Sequence, residues 1–423
     1  MDLYKIALEY ERGLFSKPSP ATALTIAHRA SEFLSHPENL NPDGSTKVFH
    51  KEATDHLIEF NSRPTPSIRE LALNFLRAEE ICDRISEEQE VLAIPCSKNG
   101  VGIPARNSEP YVTSRLTGYE IIFGPKMVDQ LLTTAGIHYH IDRSKNRRVD
   151  QFNALTALRP ALALTSTSPL SDKGENSLNC HRYNTIADPE EGMFRGIPEE
   201  VRYINSEEDL QERDLRRHDK WKKRFQTNRK LLTESFQGYG LEQFLKAFPV
   251  EKTGYPDIRN RPQMGSGTFE GRTNDTAPVH LVLAHAALVL GYNNQILRGD
   301  IPISIARKFD RYQFERKQII LPSRETLNQY TSLAIKHGLE NKKVQQYLSV
   351  VLEFAYQGLP NQEQHFLDPY FEMLESGKNL ASQLIDYIGP KDHYLPADSA
   401  FVNHLIWDRH REGIYTLKQK MRM

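Results

Sequence analysis

Cysteine is scarce: the 423 residues hold only Cys82, Cys96 and Cys180, an odd number at wide spacing. That leaves no basis for a disulfide framework or for a zinc site built on thiolates. An excess of charge of one sign is missing too, since 54 Lys and Arg face 55 Asp and Glu for a formal net charge of −1. A general nucleic-acid binder or a protein held on an anionic membrane surface needs a cationic surplus, which this composition lacks. Long apolar runs are absent as well; residues 281–290 form the longest, include His285 and reach about half of what a bilayer span takes. The opening Met1-Asp2-Leu3-Tyr4-Lys5 runs into Glu9 and Glu11 without a signal or transit pattern, so a cytoplasmic enzyme is expected. Common nucleotide and hydrolase signatures are likewise missing. There is no Walker Gly-Lys-Ser/Thr and no Gly-x-Ser-x-Gly elbow; Gly265-Ser266-Gly267 lacks the third glycine of a dinucleotide fold and reads as a turn. Cys180 and His181 are adjacent, and neighbours in sequence do not naturally face one another as a catalytic pair.

What is present begins with a length sufficient for one large domain or two to three smaller ones. Helical periodicity predicts helices over 22–34, 67–85, 152–164, 278–290, 324–337, 343–356 and 379–388, the last ended by Gly389-Pro390. The second of these carries a cap signal, Ser67 followed three residues later by Glu70. The charged stretch 206–230, acidic first and basic later, reads as a solvated helix whose charges complement its dipole. Short strands are expected at 5–12, 56–62, 90–94, 136–142 and 267–273. Their irregular alternation with helices predicts an α+β fold with a mainly antiparallel sheet rather than a doubly wound parallel one.

Four of those strands carry polar residues two apart, which share a face of a strand. Glu9 and Glu11 project together, as do Glu59, Asn61 and Arg63, then His138, His140 and Asp142, then Glu270 and Arg272. The interleaved Leu8, Tyr10, Ile58, Phe60, Ile137, Tyr139, Ile141 and Phe269 suit an opposite face packed under helices. An antiparallel sheet ordinarily shows water its polar side. Carboxylates and imidazoles predominate here, however, and like-charged Glu on one face repel unless a positive charge lies between them. Glu9, Glu11, Glu59, Glu270 and one or both histidines form a donor set rich in oxygen, suited to Mg²⁺ or Mn²⁺ more than to zinc. Arg63, Arg272 and Arg182 would bind anionic groups beside the metals. Carboxylates, metals and arginines around one cavity are apparatus for holding a nucleoside triphosphate and stabilising phosphoryl transfer.

With these residues in place, the sequence resembles glutamate–cysteine ligases and the wider carboxylate–amine ligase superfamily, whose sheet is related to that of glutamine synthetase. Residues 6–12 match the family's opening Gly-x-Glu-x-Glu strand, with Ala7 where Gly is usual. Glu52, Asp55 and Glu59 ahead of Phe60-Asn61-Ser62-Arg63-Pro64 are similar to its spaced acids, and Ala135-Gly136-Ile137-His138-Tyr139-His140 to its Gly-Ile-His-Tyr strand. Residues 165–169 and 177–183 sit where the family has an Ala-Ser-Ser-Pro segment and a substrate-binding Arg. Tyr255-Pro256-Asp257-Ile258-Arg259 resembles a Tyr-x-x-Ile-Arg element, and Glu270-Gly271-Arg272-Thr273-Asn274-Asp275 its Glu-x-Arg-x-x-Asp strand. Asp142-Arg143-Ser144 departs from the usual continuation of the His strand.

The resemblance implies a sheet forming an active-site basin covered by helices, with a catalytic core in residues 1–300 and a helical part, 301–423, packed on the same core. It implies an ATP-dependent ligase using Mg²⁺ or Mn²⁺, a monomer or homodimer with small-molecule substrates and a place in glutathione biosynthesis. Glu11, Glu52, Glu59, His138 and Glu270 would be metal ligands, with Glu9 sharing a metal and His140 beside them. Arg272, Glu270 and Arg182 would be catalytic, Arg272 and Arg259 would contact ATP, and Arg182, Tyr255, Arg259 and Arg63 would lie near the substrate. The implied reaction is phosphorylation of a carboxylate, the γ-carboxylate of glutamate, and capture of the acyl phosphate by an amine, that of cysteine. A superfamily ligase joining another acid or amine, a metal-dependent hydrolase using the same cluster without ATP, and a non-catalytic relative are the alternatives. Glu59→Ala or Glu270→Ala is expected to abolish ATP turnover with little loss of fold.

Overall fold

The computed structural model describes residues 4–18, 24–41, 46–98, 104–106, 108–168, 180, 182–183, 203–229, 238–254, 257–308, 311–315, 317–389 and 396–421. A seven-stranded sheet organises them. Its strands are β1 (Ile6–Ser16), β2 (Phe49–Lys51), β3 (Leu57–Asn61), β4 (Val91–Ile94), β5 (Gly136–Asp142), β6 (Ile258–Arg261) and β7 (Thr268–Asp275). They lie in the order β2-β3-β1-β5-β7-β6, with β4 paired to the second half of β1, and every pairing is antiparallel. β1 therefore changes partner along its length, from β5 at residues 6–10 to β4 at 13–16. A separate three-stranded sheet joins β8 (Ile303–Ile305), β9 (Gln313–Glu315) and β10 (Gln318–Leu321).

The helices are α1 (Ala30–Ser35), α2 (Ile68–Glu88), α3 (Pro110–Phe123), α4 (Pro125–Leu132), α5 (Arg148–Ala157), α6 (Leu162–Thr165) and α7 (Glu207–Arg229). After these come α8 (Leu241–Ala247), α9 (Val279–Ile296), α10 (Arg324–His337), α11 (Lys342–Tyr356), α12 (Asp368–Ser376), α13 (Leu380–Ile388) and α14 (Pro396–Lys420). Alternation along the strands sends Leu8, Tyr10, Ile58, Phe60, Ile137, Tyr139, Ile141 and Phe269 into one core beneath the sheet. At its centre lies α9, apolar over residues 281–290 except for His285 and buried on nearly all sides. It meets the end of α11 backbone to backbone: a Cβ on Gly358 would come within 1.9 Å of Gly291 O, and one on Gly291 within 2.3 Å of Ala355 O. The core holds side chains from both the first 300 residues and the last third. No helix among the described residues is long and apolar enough to cross a membrane.

The architecture is the α+β one expected, with local corrections. Of the helix predicted over 22–34, residues 22 and 23 lie outside the described residues, and the rest is helical only from Ala30, in Ala30–Ser35. Residues 25–27 run extended along β1, with Ser16 N–H donating to Thr25 O at 2.9 Å and Ala27 N–H to Leu14 O at 2.9 Å. The helix predicted over 152–164 starts earlier, at Arg148, and stops before Pro160, which opens no α-helical hydrogen bond and leaves a 3₁₀ turn. Ser67 caps α2 by accepting from Glu70 N–H at 3.2 Å, but Glu70's carboxylate turns to Thr65 instead of closing the box.

Candidate metal and anion basin

The polar face of the sheet holds a continuous row of ionisable side chains, because cross-strand register brings one from each strand opposite the next. Glu59 on β3 pairs with Glu11 on β1, Glu9 on β1 with His138 on β5, His140 on β5 with Glu270 on β7, and Glu270 with Arg259 on β6. Acids occupy the β3–β1 flank, imidazoles the middle and guanidinium groups the β7–β6 flank. The row floors a cavity of about 490 Å³ whose wall includes Glu9, Glu11, Glu52, Glu59, His138, Arg182, Arg259, Arg261, Glu270 and Arg272.

Each oxygen of Glu9 meets a different imidazole, Oε2 with His138 Nδ1 at 2.6 Å and Oε1 with His140 Nε2 at 2.9 Å. Arg182 Nη2 lies 2.7 Å from His138 Nε2 and its Nη1 donates to Glu11 Oε2 at 3.1 Å. Since a guanidinium only donates, His138 accepts at Nε2 and carries its proton on Nδ1, toward Glu9. Burial, with Arg272 and Arg182 adding to it, pushes the His138 pKa down to about 4, consistent with a neutral ring. Burial opposes ionisation of Glu9, yet its contacts with both imidazoles hold it below the usual carboxylate range. Glu59 goes the other way: burial first, then Glu52, Glu9 and Glu11, raise its pKa well above that range.

Among the described residues three groups of ligand atoms each gather within 4.8 Å of one another: Glu11, Glu52 and Glu59; Glu9, Glu59 and His138; and Glu9, His140 and Glu270. These donors fit a hard divalent cation. A cation among them would remove the repulsion that raises Glu59, and Glu270 Oε2 is buried without a hydrogen-bond partner among the described residues. On the far flank Glu270, 1% exposed, contacts Arg272 directly and lies 3.6 Å from Arg259 and 3.5 Å from Arg261.

Arg182 reaches the row because its backbone N–H is anchored to Asp275 Oδ1 at 2.9 Å and its stem lies flat on Gly136, where a Cβ would come within 2.5 Å of Arg182 Cδ. Two sequence expectations do not join the group. Arg63 lies past the end of β3, where strand alternation no longer holds it on the row; it is exposed and outside the basin wall. Tyr255 falls outside the described residues. Arg261 was missed, although its spacing of two from Arg259 places both on one face of β6. The outer wall, from α3 and the 3₁₀ turn Val250–Lys252, was also missed. It sets Tyr111, Arg115, Tyr119 and Lys252 beside Val112 and Leu116, with Arg115 donating to Tyr119 Oη at 2.8 Å.

No protein-family model matches the sequence, and no curated protein matches it. Solved structures do. A bifunctional glutathione synthetase from Pasteurella multocida superposes with a TM-score of 0.52 at 14% identity, over 98% of this chain and 54% of that one. A glutamate–cysteine ligase from Francisella tularensis, solved in complex with AMP, superposes with a TM-score of 0.57 at 13% identity, over 100% of this chain and 93% of that one. The chain thus spans about half the length of the Pasteurella protein and nearly all of the Francisella one. What it shares with both is their fold.

Proposed function

We propose that this chain is an ATP-dependent carboxylate–amine ligase that joins the γ-carboxylate of glutamate to the amine of cysteine through an acyl phosphate. The observation that carries the reading is the row across the sheet, acids and imidazoles passing into arginines around one cavity. The fold shared with a glutamate–cysteine ligase and a glutathione synthetase supports it. A ligase of the same kind acting on another acid or amine would use the same row.

In this reading Glu11, Glu52 and Glu59 hold one cation, and Glu9, Glu270, His138 and His140 hold what lies on the imidazole side. Mg²⁺ or Mn²⁺ bound there supplies charge neutralisation, so that a carboxylate and a triphosphate can approach. Arg272 and Arg259, with Arg261, bind the phosphates, and preorganised guanidinium groups stabilise charge as it moves from the γ-phosphate to the leaving ADP. Arg182 orients the substrate carboxylate from above Gly136. The carboxylate oxygen forms a bond to the γ-phosphorus as the bond to ADP breaks. The amine then attacks the acyl carbon, loses a proton and releases inorganic phosphate. No protein nucleophile is needed. Residues 1–300 carry this chemistry, and 301–423 buttress it from below.

The test is incubation with ATP, Mg²⁺, glutamate and a pool of amines, followed by mass spectrometry of products and assay of ADP. An amide formed in step with ADP is expected. Absence of ADP with glutamate and every amine tried would overturn the proposal.

A further inference from the structure

Beneath the basin, on the face of β1 opposite Glu11, Arg12 is 1% exposed. Its Nη1 donates to Glu79 Oε2 of α2 at 2.7 Å, and the rings of Tyr10 and Phe49 lie 5.3 and 5.5 Å from the guanidinium carbon. The same Glu79 oxygen is 3.1 Å from His410 Nε2 of α14, while Val279 N–H donates to His410 Nδ1 at 3.3 Å. These two contacts fix the tautomer, with the proton on Nε2 toward Glu79. Val279 opens α9 directly behind β7, the strand of Glu270 and Arg272. The same junction is tied to β1 twice more: Tyr10 Oη donates to Ala277 O at 2.8 Å, and Thr276 Oγ1 to Glu11 O at 2.7 Å.

This hub is an expensive way to hold helices together. Each ion taken from water costs several kcal/mol, and mutual attraction offsets that only when geometry and hydrogen bonding are complete. Here Arg12 Nε and Nη2 and Glu79 Oε1 have no hydrogen-bond partner among the described residues. Apolar side chains of similar size serve packing at least as well in such positions. The three residues do meet at one place that packing alone does not require, the joint between the strand of Glu9 and Glu11 and the strand of Glu270.

We infer that Arg12, Glu79 and His410 are positioning residues for the cation clusters. They hold β1 against the β7–α9 junction so that Glu11, Glu9 and Glu270 present their carboxylates at matched heights. The inference rests on the metal assignment made above. It also gives the C-terminal helix a part in the site, through a contact 331 residues away in sequence.

The test is calorimetric titration of the full chain with Mn²⁺ alone, wild type beside the double variant Arg12→Met/Glu79→Met. Exchanging the ion pair for two apolar chains leaves circular dichroism close to wild type and lowers the melting temperature by a few degrees at most, His410 Nε2–H losing its acceptor, whereas Mn²⁺ affinity falls about tenfold, the scale of losing outer support for a metal site. A purely structural hub predicts the wild-type isotherm in the folded double variant, and that result overturns the inference. If wild type itself binds no Mn²⁺, the metal assignment fails first and this inference with it. Should the double variant not fold, His410→Phe carries the test, since it keeps the ring but can neither donate to Glu79 nor accept from Val279. Weaker Mn²⁺ binding is expected there, and an unchanged isotherm overturns the inference.

Discussion

Glu59 and Glu270 are both acids of the basin, but their surroundings make opposite demands. Glu59 faces Glu11 across the strands and has Glu52 and Glu9 nearby, so its negative charge is a burden on the metal-free protein. Glu59→Gln is expected to abolish Mn²⁺-supported ATP turnover while raising the melting temperature without metal, by about 1 °C for each kcal/mol of relieved repulsion in a chain of this length. Scanning calorimetry in a chelator, beside an ADP assay, checks both halves. Glu270 is the counter-charge to Arg259, Arg261 and Arg272. The sequence-based expectation that Glu270→Ala spares the fold therefore needs revising. Leaving buried guanidinium groups without their acid costs about 3–5 kcal/mol, and urea denaturation should register that loss together with the loss of turnover. Gly136→Ala acts first on Arg182, since the new methyl occupies the space of the arginine stem. It is expected to raise the KM for the carboxylate substrate while leaving the secondary structure unchanged.

Elements were legible in proportion to how local their causes are. β1, β3, β5 and β7 declare themselves by alternation, and the row of side chains follows from that period. α2 declares itself by its cap and apolar stripe, but not by what holds its first turn: Glu363, far along the chain, accepts from Ser67 and from Ile68 N–H at 3.1 Å. Residues 24–29 belong to that helically periodic stretch and are still not helical: 25–27 lie against β1, because pairing with Leu14 and Ser16 competes successfully with a short helix. β6 was missed because residues 258–261 have no apolar alternation, Arg259 and Arg261 being turned to the basin and Asn260 to Arg143 on the other face. The contact between Gly291 and Gly358 left no readable pattern either. Gly291→Ala forces a methyl against Ala355 O, and overpacking there is expected to cost about 1–3 kcal/mol in chemical denaturation.

For the whole molecule, buried imidazoles set the response to acid. Burial pushes the pKa of His285 down to about 4 and, with His28 adding, that of His56 down to about 3, against 6.5 for an ordinary histidine. Below pH 6.5 the unfolded chain binds protons that the folded chain refuses, so stability is fully present above 6.5 and is lost as pH falls toward those values. Each such group contributes a slope of about 1.4 kcal/mol per pH unit in that window. Urea midpoints at pH 7.5 and 5.0 should show the drop, and His285→Gln should flatten it by one group's share.

Glu9 turns one oxygen to His138 and the other to His140, and it belongs to two of the three ligand groups. A single carboxylate serving two neighbouring positions makes them interdependent. On the proposed metal assignment, the first ion to arrive would fix the rotamer that the second must accept, so loading should proceed in two unequal steps rather than as a simple hyperbola. Glu9→Gln should collapse that curve to the one remaining step, supplied by Glu11, Glu52 and Glu59.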